Sequence, residues 1–246
     1  NAESDGLPGL IIDRYSDFLV CQFLSAGTEY WKSSIVRQLK KILPDLGIYE
    51  RSDGEIREKE GLGRKTGTLA GQDPPDLIEI REKDYRFGVD IRQGHKTGFY
   101  LDQRNSRVCV GKYARGADVL NCFAYTGGFA VAALKAGAKS VTNIDSSESA
   151  LALAAHNAAL NQIGLDKMQN IVGNVFALLR RFRDANRQFD LIILDPPKFA
   201  ESRSKIEKAS RGYKDINLLA LKMLKPSGIL FTFSCSGALN RELFQK

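Results

Sequence analysis

Four stretches of this 246-residue chain combine residue types that could do chemistry. Asp118-Val-Leu-Asn-Cys122 turns through Phe123-Ala-Tyr-Thr-Gly-Gly128 into the helix-like Phe129–Gly137. Glycines remove the Cβ atoms that would hold a ligand off the backbone, and a helix start offers unpaired N–H groups; the same turn also serves plain strand-to-helix packing. Roughly 20 residues later, Asp145 ends Ser140-Val-Thr-Asn-Ile144, which reads as a second strand, where a carboxylate can accept from both hydroxyls of a ribose. Asp145 could equally cap the helix opened by Ser146, Ser147 and Glu148.

The third stretch is Asp195-Pro-Pro-Lys-Phe199, which follows the run Phe189–Leu194. Two prolines stiffen the backbone after the acid, so Asp195 projects from a rigid turn; Pro196, Pro197, Lys198 and Phe199 are suited to hold a flat base edge, or simply to end a strand. The fourth is Ser234-Cys-Ser-Gly237 after Gly228–Phe233. Cys235 lies at a strand tip between two hydroxyls, where a thiol can be a nucleophile; Cys122, inside a strand end, reads as a small buried hydrophobe.

These residues need a frame. From Asp118 onward, strand-like segments at 118–122, 140–144, 169–172, 189–194 and 227–233 alternate with helical patterns near 128–136, 147–162, 175–184 and 204–224. That alternation predicts an α/β fold, a Rossmann-like sheet of mostly parallel strands covered on both faces. Ligands of such sheets sit beyond the C-terminal strand ends, where the glycine turn, Asp145, Asn174 and Asp195 all fall. Upstream, strands at 9–13 and 18–23, a helix over 28–42, a strand at 47–51, a long connection over 51–75 and a hairpin of 77–81 with 85–89 predict a small α+β domain over 1–91. Residues 92–117 read as a connecting segment and 118–246 as the α/β domain.

Composition narrows the class. The chain is 43% hydrophobic and 26% charged, as soluble domains are, and no run reaches the roughly 18 apolar residues of a membrane span. Cys21, Cys109, Cys122 and Cys235 are scattered and the histidines are only His95 and His156, which argues against a metal site or a disulfide framework and fits a reducing cytoplasm. The start Asn1-Ala-Glu-Ser-Asp5 is not a signal peptide, and the missing Met suggests a processed or truncated chain. A net charge of +7 leans toward a polyanionic partner.

Taken in order, Lys96-Thr-Gly-Phe-Tyr-Leu-Asp-Gln-Arg104, Asn121–Gly128, Asp195–Phe199 and Ser234-Cys-Ser236 resemble the S-adenosylmethionine-dependent large-subunit ribosomal RNA cytosine-C5 methyltransferases of the type that carries a PUA domain. Gly6–Tyr15 is similar to the opening of that family's middle domain, so the resemblance spans nearly the whole chain. No PUA domain precedes residue 1 and the family's last strands are missing after Lys246, which implies a fragment. The resemblance implies that Asn121, Phe123, Ala124, Tyr125, Thr126, Gly127 and Gly128 hold the methionine end of the cofactor, and that Asp145 and Ser146 hold its ribose. It implies Asn174 at the adenine amino group, where related enzymes more often have Asp, and Lys96 and Thr97 against the cofactor. Cys235 would add to cytosine C6 while Asp195 steadies the N3/N4 edge; Asp195 also borders the cofactor. The basic loop 201–213, with Arg203 and Lys205, could touch RNA phosphates, as could Arg180, Arg181, Arg183 and Arg187.

Competing readings are a guanine-N7 methyltransferase, which needs no thiol, and a non-catalytic RNA-binding subunit with a residual pocket. A nicotinamide oxidoreductase lacks support, because the turn has no G-x-G-x-x-G pattern. The oligomeric state is not legible in the sequence, a homodimer being one option.

Overall fold

In the computed structural model, which describes residues 5–199, 206–237 and 239–244, the chain divides into two units between Asp102 and Gln103. The first opens with β1 (Leu10–Tyr15) and β2 (Phe18–Phe23), an antiparallel pair joined through Ser16 at φ 50°. Helix α1 (Ala26–Ile42) starts on a capping box: Ser25 Oγ accepts from the Thr28 N–H and Thr28 Oγ1 accepts from the Ser25 N–H. Strand β3 (Gly47–Ser52) pairs parallel to β2, short helix α2 (Ile56–Lys59) follows, and β4 (Lys65–Ala70) closes the order β1-β2-β3-β4. Strands β5 (Ile78–Glu82) and β6 (Tyr85–Val89) form a separate hairpin. Leu10, Leu19, Cys21, Phe23 and Ile48 make the core, against which Ile35, Val36 and Leu39 of α1 pack.

The stretch 51–75, read as a long connection, contains α2 and β4. Lys65-Thr-Gly-Thr-Leu-Ala70 is an edge strand with no buried residue, so it carries no apolar alternation to betray it. Beside it lies a buried charge network. Arg57 is 0% exposed and donates to the Phe23 carbonyl, to Gly63 O at 2.8 Å and to Glu29 Oε2 at 3.0 Å. Burial opposes ionisation of Glu29, but hydrogen bonds from Lys65, Lys32 and Arg57 outweigh it and lower its pKa from 4.5 to about 2. A depressed carboxylate pKa adds stability that is complete above the unfolded value and lost as pH falls toward the folded one, here between about 4.5 and 2. Glu29→Gln should therefore destabilise the first unit by about 1–3 kcal/mol at neutral pH and flatten its acid unfolding curve between those limits, read by circular dichroism.

The second unit begins with helix α3 (Arg104–Tyr113), inside the segment read from sequence as a connection. Its alternating partners are β7 (Asp118–Cys122), α4 (Gly128–Lys135), β8 (Ser140–Asp145), α5 (Glu148–Leu160), β9 (Met168–Val172), α6 (Val175–Asp184), β10 (Phe189–Leu194), α7 (Ile206–Met223), β11 (Leu224–Thr232) and α8 (Arg241–Phe244). The strands pair parallel in the order β11-β10-β7-β8-β9. Strand alternation divides the core. Val119, Val141, Leu191 and Ile193 pack with Phe129, Ala130 and Ala133 of α4, while Leu120, Cys122, Ile144, Ile192 and Leu194 pack with Leu179 and Phe182 of α6 and Ile216 and Leu219 of α7. After β7 the chain builds outward through β8 and β9, then returns to lay β10 on the other side of β7. Strand order thus reverses between β7 and β10, and the crevice of such a sheet opens at that point.

One row of this sheet is polar. Asn121 Nδ2 donates to Asn143 Oδ1 at 2.9 Å, Asn143 Nδ2 to Asn170 Oδ1 at 2.9 Å, and Asn170 Nδ2 to the Leu151 carbonyl of α5 at 3.0 Å. The three asparagines are register neighbours on β7, β8 and β9, so the ladder fixes the relative heights of three strand ends.

Candidate functional site

The turn after β7 is built from backbone that ordinary residues resist. Phe123 and Tyr125 have φ of 59° and 47°, and Gly127 has φ 74°. Left-handed backbone at non-glycine residues is strained and is kept where surrounding contacts over-determine it. Those contacts are present. Asp145 accepts the Tyr125 N–H on Oδ2 at 2.8 Å and the Ser147 N–H on Oδ1 at 2.9 Å. Asn157 donates to the Thr126 carbonyl at 2.9 Å, and Asn161 Nδ2 to the Asn157 carbonyl at 2.7 Å. Asp145 therefore shapes the turn from β8 with one lone pair of each oxygen, which leaves the second pairs for a diol. The cap of α5 is Ser147, whose Oγ accepts from Ala150 N at 3.1 Å, so Asp145 is not the cap. Ser146 is exposed beside it.

A Cβ added to Gly127 would lie 2.7 Å from Ala154 Cβ, so only glycine fits between the turn and α5. Gly127→Ala should lower stability by about 1–3 kcal/mol through strain and overpacking, read as a lower melting temperature.

Asn121 is fully buried and its amide N–H serves the ladder, while its Oδ1 has no hydrogen-bond partner among the described residues. Thr126 is 3% exposed and its Oγ1 is likewise unpartnered there. An orphaned acceptor on Asn121 and an orphaned hydroxyl on Thr126 thus meet at one glycine turn, and buried polar atoms ordinarily find partners. Ala124 is buried and Gly128 begins α4. Asn174 caps α6, its Oδ1 accepting from Ala177 N at 3.1 Å, and its exposed amide is left with donors.

On the other side of the strand reversal, Asp195 leaves β10 in the stiff Asp195-Pro-Pro turn; Pro196 is buried, Pro197 and Lys198 are exposed. Gln103 Nε2 lies 3.3 Å from both oxygens of Asp195. Sequence reasoning missed Gln103, although it stands within the quoted Lys96–Arg104 stretch. Phe199 packs in a ring cluster, 5.7 Å from Phe176, 6.3 Å from Phe123 and 4.7 Å from Tyr213. Arg203 and Lys205 lie outside the described residues. Arg180 pairs with Asp215, Arg183 meets Asp184 at 2.7 Å, and the Arg187 guanidinium stacks 4.2 Å over the Phe182 ring, so three of the four α6-side arginines have partners within the fold.

Cys235 follows β11 and is exposed, with its Sγ 3.7 Å from the Pro196 carbonyl. The thiol thus meets the loop that carries Asp195. Cys21 and Cys122 differ in being buried. Burial, with Glu50 and Asp13 adding to it, pushes the Cys21 thiol up to about 12, and burial pushes Cys122 higher still. Neither supplies thiolate near neutral pH. Among the described residues no cluster of three or more His, Cys, Asp or Glu could hold a metal, and no helix is long and apolar enough to cross a membrane.

Lys96 and Thr97 belong to the first unit. Thr97 is 1% exposed; its Oγ1 donates to Asp13 Oδ2 at 2.6 Å and lies 2.8 Å from Tyr15 Oη. Arg51 donates to the Ile91 and Gly94 carbonyls at 2.7 and 3.1 Å, so this loop is clamped at both ends. Lys96, in left-handed backbone, sets its ammonium 4.5 Å from the Tyr100 ring centroid.

A family model described as S-adenosylmethionine-dependent methyltransferase matches residues 65–244. Ribosomal RNA large subunit methyltransferase I of Tolumonas auensis is 56% identical over 246 residues, and its counterpart from Vibrio parahaemolyticus is 56% identical over 247. Both alignments cover 100% of this chain and 62% of the relative, so the chain spans under two thirds of these curated proteins. Among solved structures, SMU.776 complexed with SAH is 28% identical with a TM-score of 0.86, covering 100% of this chain and 62% of the other.

Proposed function

Because the chain belongs to the S-adenosylmethionine-dependent methyltransferase family, we propose that the protein methylates C5 of a cytosine in large-subunit ribosomal RNA through a covalent adduct on Cys235. The observation that carries this reading is the exposed Cys235 thiol against the Pro196 carbonyl of the Asp195 turn. A ring nitrogen attacks a methyl group with its own lone pair, so a methyltransferase acting on one needs no such thiol. The names of the relatives supply the RNA class.

The turn fits the cofactor: left-handed backbone that brings main chain close, a glycine that leaves no room for a Cβ, and two orphaned polar atoms. Residues 121–128 would hold its methionine end, Asp145 and Ser146 the ribose, and Asn174 the adenine edge. S-adenosylmethionine supplies an electrophilic methyl group when bound. The Cys235 thiolate forms a bond to C6 of the base, and the C5=C6 electron pair moves onto C5, which thereby becomes nucleophilic enough to be methylated. Asp195, which accepts from Gln103, would accept from the N4 amino group on one oxygen and, protonated on the other, donate to N3, where negative charge develops as the thiolate adds. Once C5 is methylated, a base takes its proton, the C6–S bond breaks and Cys235 returns as thiolate. Pro196, Pro197, Lys198 and Phe199 shape the base pocket, and the basic loop with Arg203 and Lys205 meets phosphates.

Mass mapping of ribosomal RNA from cells lacking and regaining the gene tests the proposal; a modification restored on any atom other than cytosine C5 refutes it. With 36 Lys and Arg against 29 Asp and Glu, RNA affinity should fall about tenfold or more between 50 and 200 mM salt through counterion release, measured by fluorescence anisotropy.

A further inference from the structure

Tyr213, on α7, places its phenol oxygen between the two serines that bracket Cys235. Ser234 Oγ donates to Tyr213 Oη at 3.1 Å, and Tyr213 Oη lies 3.1 Å from Ser236 Oγ. The Ser236 N–H closes the circuit onto Ser234 Oγ at 3.3 Å. With its oxygen accepting from Ser234 and paired with Ser236 Oγ, the phenol closes a ring of three hydrogen bonds around the Cys235 backbone. Tyr213 is 4% exposed and Ser236 3%, whereas Ser234 and Cys235 are exposed: two of the three supports are inside and the thiol is outside. The Tyr213 ring also lies 4.7 Å from Phe199 at the end of the Asp195-Pro-Pro-Lys-Phe turn. One side chain therefore touches both loops that the proposed reaction uses.

We propose that Tyr213 is the positioning residue for Cys235: its hydroxyl fixes the Ser234–Ser236 turn, and its ring sets that turn against the Asp195 loop. This inference rests on the nucleophile reading above. A thiol on an exposed turn samples many directions unless its backbone is held, and a misplacement of about 1 Å from the attacked atom can cost on the order of a hundredfold in rate. Tyr213 is itself too buried to touch a substrate. A buried tyrosine hydroxyl needs some partner in any fold, but here both partners flank the same thiol.

Tyr213→Phe, made in the full-length protein, keeps the ring on Phe199 and removes only the hydroxyl. The expected result is a kcat lowered by about 10–100-fold, with RNA KM, S-adenosylhomocysteine affinity by calorimetry and melting temperature all near wild type. Adduct formation with RNA carrying 5-fluorocytosine should slow by the same factor. Ser234→Ala combined with Ser236→Ala should reproduce the loss and add little to Tyr213→Phe, because all three substitutions open one ring. Should Tyr213→Phe fail to fold, the double serine variant decides by the same measures. A normal kcat in the tyrosine variant, or a fall in melting temperature and cofactor affinity that matches the loss of rate, overturns the positioning role. Cys235→Ala, run alongside, separates the two ideas: if it stays active, the nucleophile reading has failed; if it is dead while Tyr213→Phe is normal, only the positioning role has.

Discussion

Cys235→Ala is expected to abolish methylation while S-adenosylhomocysteine binds within about twofold of wild type, since the thiol serves chemistry and not cofactor affinity. Removing a nucleophile from a covalent mechanism costs about a thousandfold or more in turnover. RNA with 5-fluorocytosine at the target should become trapped on the wild-type enzyme, because fluorine cannot leave C5 as a proton does, and the trapped species should vanish in Cys235→Ala. The other thiols make internal controls. Cys122 is fully buried in the core between the sheet, α6 and α7, and its thiol is pushed up by that burial. Cys122→Ala should keep the adduct and lose about 1–2 kcal/mol of stability through a small cavity. Cys21 sits in the core of the first unit with its thiol near 12, and its replacement should also leave the adduct intact. Full activity of Cys235→Ala on cytosine C5 would refute the covalent route.

The α/β alternation was legible because β10, Phe189-Asp-Leu-Ile-Ile-Leu194, is a nearly continuous apolar run, as a parallel strand covered on both faces tends to be, and β7 and β8 are short β-branched or apolar segments between helical patterns. The glycine turn was legible for a related reason: Gly127 sits where no other residue fits, and composition records that. Other parts left no such trace. Helix α3 has only Arg107 and Val110 buried, so it shows little apolar periodicity. Strand β4 is an edge with no buried position. The asparagine ladder is invisible because its members lie 22 and 27 residues apart in sequence and meet only through strand register. Gln103 reaches Asp195, and Tyr213 the serines beside Cys235, across the fold, and long-range hydrogen bonds carry no local signature. Asn174 was weighed as an adenine contact or a cap, and its oxygen caps α6.

Asp145→Ala should weaken S-adenosylhomocysteine binding by a larger margin than loss of a ribose contact alone. The carboxylate carries two loads at once. It accepts the Tyr125 and Ser147 N–H groups at 2.8 and 2.9 Å, and it is the proposed acceptor for the ribose diol. Loss of charged hydrogen bonds to a diol costs about 1.5–3 kcal/mol. Alanine also leaves the Tyr125 N–H without its acceptor in left-handed backbone at φ 47°, so the turn relaxes and the cradle must be rebuilt on binding. Together these should raise the dissociation constant by about 100-fold or more, with a separate loss of about 1–3 kcal/mol in stability from the unpaired donors. Asp145→Asn distinguishes the loads: its single oxygen can accept only one of the two backbone N–H groups, and its NH2 faces the other donor, so the turn should suffer nearly as much as in alanine. Calorimetry and thermal unfolding on both variants give the two quantities independently. A dissociation constant unchanged in Asp145→Ala would place the ribose elsewhere, whatever the melting temperature did.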